Sequence, residues 1–149
     1  MNAITIRQAV VADLDALVPL FDQYRQFYKQ PSDLSGAHAF LLERFRHAQS
    51  WIFIAHDGER ALGFAQMYPV FESIAMKRKF IFNDFFVVEQ GRKRGVGKGL
   101  IEACAAFARS LGANSLGLST ARDNLSAQTL YRATGWEPEE VYIEFNLAL

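Results

Sequence analysis

The sequence predicts an α/β fold: a mixed, mostly antiparallel central sheet with local parallel pairing, flanked by helices on both faces. Three observations predict it. Two segments of helical period stand near the N-terminus. Three strand-like runs joined by turn signals follow them. A further helical segment then lies between two strand-like runs, and a helix joining neighbouring strands implies a crossover and parallel pairing.

Each element has its own signal. "ITIRQA" alternates and reads as a first strand. "VADLDALVPLFDQYRQFYKQ" places Leu14, Leu17, Val18, Phe21, Tyr24, Phe27 and Tyr28 at helical spacing, with Asp13 as its N-cap. Pro31 ends that helix. Ser35 caps a second one, "GAHAFLLERFRHA". "SWIFIAHD", "ALGFAQMYPVF" and "KFIFNDFFVVE" are rich in β-branched and aromatic residues, and "DGER" is a hairpin turn between the first two. From Gly95 to Leu111 a helix carries Val96, Leu100, Ile101, Cys104, Phe107 and Leu111 on one face, and Gly112 stops it. "NSLGLST" is a further strand. "SAQTLYRATG" is a short helix capped by Asn124 or Ser126, and "VYIEFNLAL" closes the chain as a last strand.

The chain has 149 residues, which suits one domain, 1–149. Its 16 basic and 16 acidic residues cancel, which argues against nucleic acid as a partner. No run approaches the ~18 apolar residues that a spanning helix needs, so no membrane is expected. The lone Cys104 and the absence of a signal-peptide pattern at the start point to the reducing cytoplasm. His38, His47 and His56 lack ligand spacing, so no metal is expected.

"QGRKRGVGKGL", Gln90 to Leu100, carries the densest chemical signal. It fails the P-loop pattern, because Arg92 stands where glycine is needed and Gly99 where the metal-binding hydroxyl should be. It fails the dinucleotide pattern at Leu100. It does follow an apolar strand and open a helix. Glycines there admit an anion to backbone N–H groups at a positive helix terminus, and Arg and Lys suit phosphate oxygens. The physical inference is a pyrophosphate cradle without metal; the alternative is a flexible basic turn.

The same residues resemble the GNAT superfamily of N-acetyltransferases. "RKRGVG", Arg92 to Gly97, matches the family pattern of Gln or Arg, two variable residues, Gly, a variable residue, then Gly or Ala. "NDFFVVEQG" resembles the family's fourth strand and "NLSAQTLYRATGW" its second motif. There are weaker likenesses to the spermidine/spermine and Hpa-like branches.

The resemblance implies acetyl-CoA as donor. It implies that the backbone of Phe85, Phe86 and Val87 pairs with the pantetheine arm. It implies that the N–H groups of Lys93, Arg94, Gly95, Val96, Gly97 and Lys98 hold the pyrophosphate, that Arg92 starts the motif and orients the loop, and that Asn124, Ser126 and Ala127 stand on the cofactor arm. Tyr131 stands where family members carry a general acid. Asp84 is either a base acting through water or a structural carboxylate; a water chain without a base is the other option. Strand alternation puts Asn83 and Asp84 on opposite faces. Carboxylates near the acceptor mouth would favour a cationic amine, and Asp33, Glu72, Asp84, Glu139 and Glu140 are candidates. Tyr28 and Tyr68 are the expected acceptor residues.

The implied function is acetyl transfer to a primary amine on a small molecule, by a homodimer. Acetylation of a protein lysine or N-terminus, or CoA binding without turnover, are the alternatives.

Overall fold

The computed structural model describes residues 2–149. Five strands pair in chain order: β1 (Ile4–Gln8), β2 (Trp51–Asp57), β3 (Arg60–Glu72), β4 (Lys77–Val87) and β5 (Ala113–Gly117). The first three pairings are antiparallel and β4–β5 is parallel. The mixed α/β architecture expected from the sequence is therefore present. Helices α1 (Leu14–Phe27) and α2 (Leu34–Arg46) precede β2, and α3 (Val96–Ser110) connects β4 to β5.

Strand alternation in β2 sorts the two faces. Ile52 and Ile54 join Leu17, Phe21 and Leu41 in the core under α1 and α2. Trp51 and Phe53 turn the other way and meet Phe107 of α3 at ring separations of 5.9 and 5.5 Å. On that helix Val96, Leu100, Ile101, Cys104 and Ala108 are buried, as its period requires. Burial pushes the Cys104 thiol up to about 12, so it is packing material rather than a nucleophile.

By its contacts the chain divides into two compact units, Met1–Ser119 and Thr120–Leu149. The second contains α4 (Leu125–Ala133). Asn124 caps it by accepting from the Ala127 N–H at 3.2 Å, which decides between the two expected caps. At α2 the cap is Asp33, which accepts from Gly36 N at 2.8 Å, and not Ser35, which lies inside the helix.

The expected last strand is absent. Residues 137–149 carry no regular structure. Val141, Tyr142, Ile143, Phe145, Leu147 and Leu149 are each at least 77% exposed. Alternation supplies a strand with a face but not with a neighbour to bond its N–H and C=O groups.

Candidate active site

The site begins with an irregularity in the sheet. Gln66 pairs with Asp84, but the next pair is Met67 with Phe82, so Asn83 is an extra residue in β4. Such a bulge resets the alternation. Phe82 faces the α3 side with its partner Met67, while Asp84 and Phe86 face the α1 side with Gln66 and Phe64. The expectation that Asn83 and Asp84 point apart is corrected here. Asn83 Nδ2 donates to Asp84 Oδ1 at 3.0 Å, because the bulge turns both side chains to one side.

Asp84 is 6% exposed and ends a buried chain of hydrogen bonds. Ser50 Oγ donates to Gln66 Oε1 at 2.7 Å, and Gln66 Nε2 donates to Asp84 Oδ2 at 2.6 Å. The Tyr24 hydroxyl lies beside this network and donates to Asn83 O at 3.4 Å. Burial raises the Asp84 pKa above the ordinary carboxylate range, and Gln66, the nearby Tyr24 hydroxyl and Asn83 pull against that rise. A carboxyl so poised gains a proton more readily than a solvated one. That suits proton acceptance.

A cavity of about 410 Å³ opens onto Asp84. Phe21, Tyr24 and Tyr28 of the α1 region line it, facing Phe40 of α2. Arg25 and Asp33 add charge to its wall. The loop between the helices is held by Asp22, which is 4% exposed. Asp22 accepts from Asp33 N and Ser32 Oγ, both at 2.7 Å, and from Gln26 Nε2 at 3.0 Å. These bonds, the Asp33 amide first, hold its pKa below the usual value.

Of the two expected acceptor residues, Tyr28 lines this cavity. Tyr68 is not among its lining residues. It lies half-buried on β3, where burial and then the nearby Asp84 charge push its phenol up to about 12. Of the five candidate carboxylates, Asp33 and Asp84 reach the cavity. Glu72 instead accepts from Asn114 Nδ2 at 2.8 Å, and Glu139 accepts from the Val141 and Tyr142 amides. Glu140 is exposed in the segment after α4. Sequence reasoning missed Gln66 and Ser50. A glutamine inside the apolar run "ALGFAQMYPVF" was the available signal.

The glycine-rich stretch forms a turn and the start of α3. Gly95 is the N-cap with φ of 80°, and nothing lies within 4 Å of where its Cβ would stand. Lys93 before it also has positive φ, at 57°. The N–H groups of Val96, Gly97 and Lys98 open the helix and have no carbonyl within it to bond. This open, N–H-rich space fits a pyrophosphate. The Arg94 side chain is otherwise engaged: Nη2 binds Asp57 Oδ2 at 2.7 Å and ties the turn to β2. Arg92 Nε reaches back to Val87 O at 3.4 Å.

Phe85, Phe86 and Val87 lie at the end of β4, just before that turn. In the second unit, Ser126 and Ala127 lie in the first turn of α4 after the Asn124 cap. Tyr131 lies further along that helix, half-buried, its ring 5.8 Å from that of Trp136. The Asn124 carbonyl is committed to capping.

A five-stranded sheet bulged beside a buried carboxyl, followed by a glycine turn into a helix, is the frame of an acyl-transfer enzyme. The model of the acetyltransferase (GNAT) family matches residues 15–136, and the chain belongs to that family. It is 44% identical over 142 residues to the uncharacterized N-acetyltransferase YhfO of Bacillus subtilis, covering 95% of both chains. It is 32% identical over 150 residues to the D-amino-acid N-acetyltransferase HPA3 of Saccharomyces cerevisiae, covering 97% of this chain and 92% of that one. A crystal structure of a probable acetyltransferase superposes with a TM-score of 0.93 at 36% identity, covering 97% of each chain. The protein is an N-acetyltransferase.

Proposed function

We propose that the enzyme moves an acetyl group from acetyl-CoA to a primary amine on a small molecule, and that the whole chain, 1–149, works as one acetyltransferase domain. The observation that carries this reading is the buried Asp84 at a cavity lined by aromatic rings. A protein lysine needs a long groove for its backbone, whereas this cavity of about 410 Å³ takes part of its wall, Gln30 and Asp33, from the loop that Asp22 fastens. The name of the yeast relative supports a small amine as acceptor. The span of the family match, which runs across both units, supports a single domain.

Acetyl-CoA supplies an activated acyl carbon. The turn from Arg92 to Lys98 holds its pyrophosphate by backbone N–H groups, and the end of β4 at Phe85, Phe86 and Val87 offers backbone to its arm. Asn124, Ser126 and Ala127 stand at the start of α4 for the same arm. Asp84 takes a proton from the incoming ammonium, directly or through water. Tyr131 gives a proton to the departing sulfur, whose thiol has a pKa of about 8.5 against about 10 for a phenol. Overall a C–N bond forms, the C–S bond breaks, and of the two protons lost by nitrogen one ends on sulfur.

The reading includes a homodimer in the cytoplasm, without metal, nucleic acid or membrane. The alternating apolar face of Val141, Ile143, Phe145, Leu147 and Leu149 needs a strand partner, and a second copy provides one. Sedimentation as a monomer at micromolar concentration would remove the dimer. A lone cysteine suits a reducing compartment, and among the described residues no helix is long and apolar enough to cross a membrane.

The test of the main reading is release of free CoA thiol across polyamines, amino acids, aminoglycosides and lysine peptides. Turnover of at least one small amine is expected. Turnover of lysine peptides alone would overturn the small-molecule acceptor. Acetyl-CoA binding with no thiol from any amine would leave a binding module.

A further inference from the structure

Resting on that reading, we propose that Arg25 binds a carboxylate of the acceptor, so the acceptor is an amino acid with an apolar side chain. Arg25 sits in the last turn of α1, half-buried, and lines the same cavity as Asp84. Among the described residues it forms no ion pair; the arginines that do are Arg7 and Arg94. Its one hydrogen bond runs from Nη1 to Pro31 O at 3.1 Å, which fixes the guanidinium and leaves four of its five N–H donors. Asp22 attracts Arg25 through its charge but makes no contact ion pair with it, and its oxygens serve Asp33, Ser32 and Gln26. A half-buried, anchored guanidinium in a cavity, with no contact ion pair, is a receptor for a planar anion.

The rest of the wall completes the recognition. Asp84 is a carboxyl at the buried end and receives the amine. Asp33 is the other acid, and one of its oxygens is engaged as the α2 cap. Aromatic rings line the same cavity, with Phe21 and Phe40 stacked at 5.7 Å and Arg44 covering the Phe40 ring at 4.3 Å. An amine, an acid group and an apolar side chain on one carbon match these three surfaces. A polycation leaves Arg25 facing like charge. The reaction forms the bond from the amino nitrogen to the acetyl carbon and breaks the carbon–sulfur bond. It yields an N-acetylamino acid, the CoA thiol and one proton.

The test compares phenylalanine, as both enantiomers, with 2-phenylethylamine, which differs only by lacking the carboxylate; spermidine and kanamycin complete the panel. Thiol release should favour one phenylalanine enantiomer over 2-phenylethylamine by about tenfold or more in kcat/KM. Arg25→Gln should bring that ratio near one, mainly by raising KM for the amino acid, with Arg25→Lys intermediate. Ser32→Ala loosens the same loop but keeps the guanidinium, so it should preserve the ratio. Equal turnover of both phenyl compounds, preference for spermidine or kanamycin, or a ratio unmoved by Arg25→Gln overturns the inference and leaves the acetyltransferase reading standing. Silence across all amines overturns both.

Discussion

Gln66 and Asp84 face each other across the β3–β4 pair, and the Gln66 amide donates to the Asp84 carboxyl at 2.6 Å. Ser50 fixes the direction of that bond, since its hydroxyl occupies the Gln66 carbonyl oxygen and turns the NH2 toward Asp84. Without the Gln66 donor, burial would raise the Asp84 pKa further. Gln66→Leu should therefore move the acidic limb of the kcat/KM profile to higher pH, with a stability loss of about 1–3 kcal/mol from the broken network. Asp84→Asn should abolish that limb and slow turnover by about 10²–10⁴-fold. An unshifted limb in Gln66→Leu would remove Asp84 as the base.

The same carboxyl makes a stability prediction of definite sign. Its folded pKa lies above its unfolded value of about 3.9, so the protonated form is favoured in the fold. Its contribution is full below that unfolded value and is lost as pH rises through the folded pKa. Denaturant titrations should show wild type losing ground to Asp84→Asn over that rise. Parallel curves would contradict it.

The elements that carry this site were legible in the sequence, and the misses have physical causes. The glycine turn and the α3 face could be read because glycine, charge and helical period are local signals. The pairing of Asn83 and Asp84 could not, because a bulge is a register event between two strands. Arg25 lies between the apolar positions Tyr24 and Tyr28 of the helical pattern, which gives it no role of its own. Its place in the cavity depends on where α2 packs and how Asp22 folds the loop. The C-terminal alternation was read correctly as a pattern but wrongly as a strand, since pairing depends on a neighbour.

Close backbone approach gives a prediction at Gly63. A Cβ there would stand 2.6 Å from the Phe86 carbonyl oxygen and 3.3 Å from Val87 Cα. Those atoms belong to the strand proposed to meet the cofactor, and backbone cannot swing aside. Gly63→Ala should cost about 2 kcal/mol or more and weaken acetyl-CoA binding together with stability. Gly99→Ala meets only the Cδ1 tip of Ile6. It should cost less than about 1 kcal/mol, offset by better helix propensity, and Ile6→Val should relieve it in a double-mutant cycle. Equal losses at the two glycines would show that the backbone contact is not the cause.

Arg7 and Asp13 form a two-pronged ion pair, with N···O distances of 2.7 and 2.8 Å, at the entry to α1. The Arg7 bonds, aided by the Val10 amide, hold the Asp13 pKa at about 2. This acid contributes stability above its unfolded pKa of about 3.9 and loses it as pH falls through about 2. Because Arg7 is half exposed, the contribution is about 1 kcal/mol after screening. Asp13→Asn should remove that amount at pH 7 and flatten the acid limb of the stability curve, measured by urea unfolding. An unchanged limb would assign acid sensitivity elsewhere, with Asp22 the next candidate because its pKa is also lowered.

The cradle is tested most directly at Gly95. Its φ of 80° is costly for any residue with a Cβ, yet no protein atom lies within 4 Å of that position. Gly95→Ala should therefore lose about 1 kcal/mol of stability through backbone strain alone. Its effect on function should be larger, because the added carbon projects into the space assigned to the pyrophosphate. Acetyl-CoA affinity, measured by calorimetry, should fall tenfold or more, while desulfo-CoA, which keeps the pyrophosphate, should weaken equally. Pantetheine, which lacks the pyrophosphate, should bind wild type and variant alike. If pantetheine weakens as much as CoA, the loss reflects a general distortion of the turn, and the anion does not sit at Gly95.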